Sequence, residues 1–317
     1  MKLIKYGFLL FYLLIIHQIH GQEKNDLYYA QPANTGLYLG FMYVNAQNFV
    51  LVGVQELFLF NRQKLLVDTL HLSYTESSSF LDNVNHASII DKDLITVSTL
   101  RRSILVTISD DQFKLISDYN YKDLIKQLGK YDLFIQFKSG ILARSRQGKV
   151  ISHYYFSKQG IVPRFTKVTT NLTPNKPDVT QFKGSEVIGF SNYQSDGDDI
   201  FIFNRKKNML IEYNTKTGEA KEIMLPPVNA GKEVHEFYVD SFTGNCYLIK
   251  ITDNNENKMF IMKRSDYSFN EILSTKYIIR GVFDGKFYVS GIFDGAVAHF
   301  LIPIQGRNPV KEFIENE

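Results

Sequence analysis

Two histidines share a position in this chain. His86 and His235 each stand five residues before an aspartate, Asp91 and Asp240, at the end of an apolar run. Arg280 stands at nearly the same place ahead of Asp284. Imidazole nitrogens ligate metals or take charge near neutral pH, and a guanidinium binds oxyanions through paired N–H groups. His86, His235 and Arg280 are therefore the candidate ligand-binding residues, suited to an anionic group or to helping hold a metal. The competing reading is ordinary polar lining.

Other chemistry is thinner. The histidines beyond residue 21 show no short metal spacing such as His-x-x-x-His. Asp253-Asn254-Asn255-Glu256-Asn257 has oxygen ligands at alternate positions, as a calcium loop does. Lys258 takes the place of the glycine such a loop needs, and Arg264 that of its bidentate acid. Asp196-Gly197-Asp198-Asp199 is shorter still, and both read as solvated hairpin loops. Asp91, Asp240 and Asp284 lie in good turn sequences, where an Asp side chain bonds its own turn. Basic clusters at Arg101-Arg102, residues 144–149 and Arg205-Lys206-Lys207 fall at strand turns; solvation is the default, and an acidic glycan the partner they would suit together. Asn171-Leu172-Thr173 is a glycosylation sequon only in a eukaryotic source. No Gly-x-Ser-x-Gly elbow, phosphate loop or dinucleotide fingerprint is present, so no catalytic residue and no cofactor is assigned.

The elements that position these residues are strands. Helical periodicity is confined to residues 121–128; elsewhere short β-branched or aromatic runs alternate with Gly, Asn, Asp and Lys turns. One hairpin recurs. Leu57-Phe58-Leu59-Phe60-Asn61 precedes a strand over 64–72, and Leu210-Ile211-Glu212-Tyr213-Asn214 precedes a turn at Lys216-Thr217-Gly218 and a strand over 220–225. Looser copies end at Asp110-Asp111 and Asp266-Tyr267. Working back from each gives four strands per unit. Unit one covers 37–72, unit two 87–119, unit three 131–170, unit four 186–225, unit five 234–274 and unit six 278–314. The last strand of unit six, 310–314, is weak, and residues 27–31 are available to add a strand there and close a ring.

This organisation resembles the six-bladed β-propeller group over nearly the whole chain beyond residue 21. The expected fold is all-β, a propeller of six four-stranded blades, with five or seven blades as alternatives. No Trp is present, so the Trp-Asp repeat signature is missing, and Ser195-Asp196-Gly197-Asp198 lacks the spacing of a sialidase Asp-box. In such a ring the A–B and C–D turns lie on one face, and the B–C turns and inter-blade connections on the other. The second face holds the long connections, 73–86, 121–130, 171–185 and 226–233, and long loops on a rigid scaffold are where binding concentrates.

The chain opens with Lys2 and Lys5, an apolar run from Phe8 to Ile16, and Gly21 before Gln22. That layout predicts a secretory signal over 1–21 and a single domain over 22–317. The run is well short of the roughly 20 residues a spanning helix needs, so no span is expected in the mature chain. Both leader lysines leave with it and no acid does, so most of the +3 formal charge is lost and no field attracts nucleic acid. A lone Cys246, in an apolar stretch, makes no internal disulfide and reads as a buried strand residue. A secreted or periplasmic monomer is expected.

Three functions compete. The first is a non-catalytic module binding a protein or a cell-surface glycan through the long-loop face. The second is a metal-dependent enzyme of the lactonase or glycan-lyase kind, which six-bladed propellers resemble. The third is carbohydrate recognition through Tyr and Phe. Fold alone does not choose among them.

Overall fold

The computed structural model describes residues 28–30, 38–45, 47–61, 66–72, 82–120, 131–147, 150–157, 165–172, 193–205, 207–229, 232–252, 256–275, 278–293 and 296–304. They form a six-bladed β-propeller. The first strand, β1 (Tyr28–Ala30), waits for the end of the chain. Blade one is β2 (Tyr38–Tyr43), β3 (Asn48–Gly53), β4 (Glu56–Asn61) and β5 (Leu66–His71). Blade two is β6 (His86–Asp91), β7 (Leu94–Ser98), β8 (Arg102–Ser109) and β9 (Gln112–Asn120). Blade three is β10 (Tyr131–Gln136), β11 (Gly140–Gln147), β12 (Val150–Ser157) and β13 (Phe165–Leu172). Blade four is β14 (Tyr193–Asp196), β15 (Asp199–Asn204), β16 (Met209–Asn214) and β17 (Ala220–Met224). Blade five is β18 (Glu233–Asp240), β19 (Asn245–Thr252), β20 (Asn257–Lys263) and β21 (Ser268–Thr275). Blade six is β22 (Ile278–Phe283), β23 (Lys286–Phe293), β24 (Ala296–Pro303) and, paired antiparallel on β24, the early strand β1.

The expected closure of blade six by the N-terminal segment is therefore found, with Tyr29 opposite His299. The alternative outer strand at 310–314 lies outside the described residues, and β1 fills the place it would take. The helix expected over 121–128 also lies outside them. The start expected for blade four at 186 lies outside the described residues, whose first strand in that blade opens at Tyr193.

Burial falls from the middle strands to the rim, as the side-chain chemistry requires. All six residues of β3 and all five of β7 are buried, because both faces of each strand pack against neighbouring blades. The outermost strand β9, with three of its nine residues Gln, Lys and Asp and exposed Leu115 and Ile116, faces outward. Tight turns carry the residues that tolerate positive φ: Asp110-Asp111 at 56° each, and Asp284-Gly285 at 47° and 69°. The repeated hairpins are real. Asn214 Oδ1 accepts the N–H groups of Lys216 and Thr217 at 3.0 and 2.9 Å, with Gly218 at a φ of 76°.

Apolar clusters fill the seams between blades. One joins blades one and two around Val50, Leu57, Ile95 and Val106; another joins four and five around Phe201, Leu210, Phe237 and Leu248. The cluster linking blades two, three and four is the largest in reach, running from Ile90 through Ile135 to Tyr213. There the ring is pinched. The inner strand β14 lies directly against β6, and β10 packs behind them on β7 and β8. Ser195 Oγ donates to the Ile90 carbonyl at 3.4 Å across this contact.

Candidate functional site

The topology sorts the turns onto two faces. On the A–B and C–D side, short turns staple blade one to two, two to three, four to five and five to six. Asn45 Nδ2 donates to Asp93 and Asn48 Nδ2 to Asp111 at 2.7 Å, joining blades one and two. The Asp91 carboxylate pairs with Lys138 of blade three. Asp240, which is buried, accepts from Phe242 in its own turn and from the Asp284 and Gly285 N–H groups of blade six. The sequence reading of these aspartates as turn residues holds, and the geometry adds a hold on the next blade.

The acidic loop at Asp196–Asp199 does not stand free. Arg264 Nη1 bonds Asp196 Oδ2 at 2.7 Å, and its Nη2 bonds Asp199 and Glu212 Oε1, the latter at 2.6 Å. The expected solvated loop at Asp196–Asp199 is thus a clamp between blades four and five; Asp196 is nonetheless held above the usual carboxylate range, by burial first. Residues 253–255 lie outside the described residues. Among the described residues no three His, Cys, Asp or Glu side chains converge as a metal site would require. Cys246 is buried under the same clamp, and burial pushes its thiol up to about 12.

The opposite face carries the B–C turns and the connections 72–85, 121–130, 173–192 and 225–232, of which 73–81, 121–130 and 173–192 lie outside the described residues. The three candidate residues sit where inner strands enter from this face, but with different partners. His86 opens β6. Its Nε2 lies 3.0 Å from Ser88 Oγ, its ring meets Tyr193 edge-on at 5.6 Å, and its Nδ1 is buried without a hydrogen-bond partner. Burial, then Arg144, holds its pKa down at about 3. Tyr193, the first residue of blade four, also meets His153 Nε2 at 3.1 Å and Arg144 Nη1 at 3.3 Å. His153 is likewise held at about 3 by burial and Arg144. This knot fixes the pinch between blades two, three and four with neutral imidazoles.

His235 faces the other way, toward blade four. Its Nδ1–H donates to Asn208 Oδ1 at 2.7 Å, while Asn208 Nδ2 donates to the Pro226 carbonyl at 2.6 Å. Burial, then Lys250, brings its pKa to about 4. Beside it on β18, Glu236 Oε2 accepts from the Tyr238 hydroxyl at 2.6 Å, and Glu236 Oε1 lies 3.4 Å from Arg205 Nη2. Arg280 lies on β22 near Tyr238 and Tyr288, whose phenols its charge makes more acidic while their burial does the opposite and prevails.

The basic clusters divide under this geometry. Arg102 is buried, bonded to Asp118 at 2.9 Å and to the Leu72 carbonyl at 2.5 Å, and so belongs to the framework. Arg101, on the B–C turn of blade two, stays 40% exposed, 3.9 Å from the buried Asp82. Tyr193, Glu236, Tyr238 and Tyr288 were not singled out from the sequence. Glu236 and Tyr238 were findable, lying beside His235 on the same inner strand and sharing its other face at the strand period of two. Tyr193 follows a long connection with no local signal.

No protein-family model matches the chain, and no curated protein matches it in sequence. Solved structures do. The chain is similar to the “putative exported protein” of Bacteroides fragilis, with a TM-score of 0.50 and 9% identity over 87% of this chain and 95% of that one. It is similar to the extracellular domain of a one-component system of B. thetaiotaomicron, at 0.47 and 11%, covering 89% of this chain and 44% of that one. The WD40 repeats of RRP9 match at 0.49 and 4%, over 87% and 97%. At such identities the first likeness shows the propeller fold alone. Among the described residues no helix is long and apolar enough to cross a membrane.

Proposed function

We propose that the chain is exported after losing residues 1–21 and acts as a binding module. Its working surface is the face of B–C turns and inter-blade connections. The observation that carries this reading is the asymmetry of the ring. Turns as short as 92–93, 110–111 and 284–285 lie on one face, whereas the connections 72–85, 121–130, 173–192 and 225–232 all leave from the other. A rigid scaffold with long loops on one side is built to present those loops. The B. fragilis chain of the same fold is described as exported, in agreement with the leader.

Selection from a displayed peptide library and a defined glycan panel, followed by hydrogen-exchange mapping, tests the reading. Protection on binding is expected within those four connections and the B–C turns. Protection centred on 92–93, 110–111, 197–198 and 284–285 instead would place binding on the stapled face and overturn it. Mass spectrometry of secreted protein tests the leader; an intact Met1 would refute cleavage.

A further inference from the structure

Several charged groups of blade five have opposite numbers. Glu236 has Arg205 and Tyr238, Lys250 has Glu233 at 2.8 Å, and Arg264 has three carboxylates. Arg280 differs: this half-buried guanidinium has no hydrogen bond or ion pair among the described residues.

Its placement is unusual as well. On β22, Ile279 faces Val289 and Gly281 faces Tyr288, so Arg280 is the extra residue of a β-bulge in the innermost strand. A bulge leaves its residue out of the ladder and re-aims the side chain. The neighbouring position explains how Tyr288 comes to lie alongside. A Cβ at Gly281 would overlap the Tyr288 phenol, so only glycine lets that ring lie against the strand beside Arg280. Tyr238 of blade five lies close enough to feel the same charge. The bulge lies two residues below the point where β22 enters from the loop face, since β22 begins at Ile278.

We infer that Arg280 is an anion-holding residue of the loop face, and that the group it takes is a carboxylate. The inference rests on the reading that this face binds ligand. A guanidinium presents two parallel N–H donors to a carboxylate. A half-buried cation without a partner is costly in the free protein, and a bound carboxylate removes that cost.

Titration calorimetry at low salt with glucuronate, glucose, inorganic phosphate and sulfate tests it on the wild type, Arg280→Ala and Arg280→Lys. Near-ultraviolet circular dichroism checks that each variant is folded. Glucuronate is expected to bind the wild type and glucose not to. Affinity should fall about tenfold or more in Arg280→Ala, and also fall in Arg280→Lys, which keeps the charge but loses the paired donors. Equal affinity in Arg280→Ala, or no anion bound at millimolar concentration, overturns the inference. Phosphate or sulfate binding as tightly as glucuronate overturns the carboxylate and leaves a bare oxyanion. Exchange protection of the loop face by a selected ligand, with Arg280 variants binding it unchanged, would leave the module reading standing while this inference falls.

Discussion

The Asp240 carboxylate takes the N–H of Gly285, in the next blade, at 2.8 Å. The same carboxylate also accepts from Asp284 and from Phe242, so three backbone donors converge on one buried side chain. Replacing Asp240 by Ala strands them. The expected loss is about 2–3 kcal/mol, by the rule for buried donors losing a charged acceptor. Urea unfolding measures it, and a loss below about 0.5 kcal/mol would mean that water replaces the carboxylate.

Arg264 holds blade four to blade five through Asp196, Asp199 and Glu212. Arg264→Met leaves three carboxylates facing one another. Removing one partner from a fully buried pair costs about 3–5 kcal/mol. With the Arg264 side chain 32% exposed, solvent screening reduces that to roughly 1–2 kcal/mol. Adding Glu212→Gln should recover part of the loss, and a double-mutant cycle that is purely additive would count against the clamp.

Acid should weaken the pinch between blades two, three and four before it touches the carboxylates. His86 and His153 are held at about 3 when folded, against 6.5 for a free histidine. A lowered pKa means the folded state disfavours the proton. Stability from these groups is therefore full above pH 6.5 and falls as pH drops below it, down to about 3. Between pH 7 and pH 5 the loss is roughly 2 kcal/mol per histidine. Urea midpoints at the two pH values check this, and His153→Gln should flatten the slope; an unchanged midpoint in the wild type would contradict it.

Gly281→Ala pushes a methyl into the Tyr288 phenol. Overpacking of this kind costs about 1–3 kcal/mol. Tyr288→Ala in the same chain should relieve the overlap, so the pair should be less destabilised than the sum of the single changes. A fully additive pair would show that the glycine serves something else.

Some of this architecture is legible in the sequence and some is not, for reasons that particular residues make plain. The hairpins ending at Asn61 and Asn214 and the closing strand over 28–30 are local patterns of alternation and turn chemistry, and such patterns survive in a single sequence. The equivalence of His86 and His235 does not survive. Both lie five residues before an aspartate, but β6 carries a bulge at Ile90 and β18 carries none. One extra residue shifts the ladder by a step and turns a side chain to the other face. His86 therefore meets Tyr193, whereas His235 points back to Asn208 in the preceding blade. Arg280 is itself a bulge residue, and bulges leave no mark in hydrophobic pattern. The clamp at Arg264 joins positions 52 to 68 residues apart, a distance over which no periodicity speaks.

Removing residues 22–30 should open blade six by leaving the outer edge of β24 unpaired. The truncated chain is expected to melt at lower temperature and to associate as concentration rises, measured by light scattering beside calorimetry. A monomeric truncation with unchanged melting would show that β1 is dispensable.

The pairing of β1 with β24 also sets an order of events in time. Among the described residues the first strand bonds to the last, so the ring has no way to close until Pro303 has been made. Contacts of such long sequence separation form slowly, because loop closure comes before any gain from the pairing. A ring latched by strands so far apart in sequence stays open until both have been made.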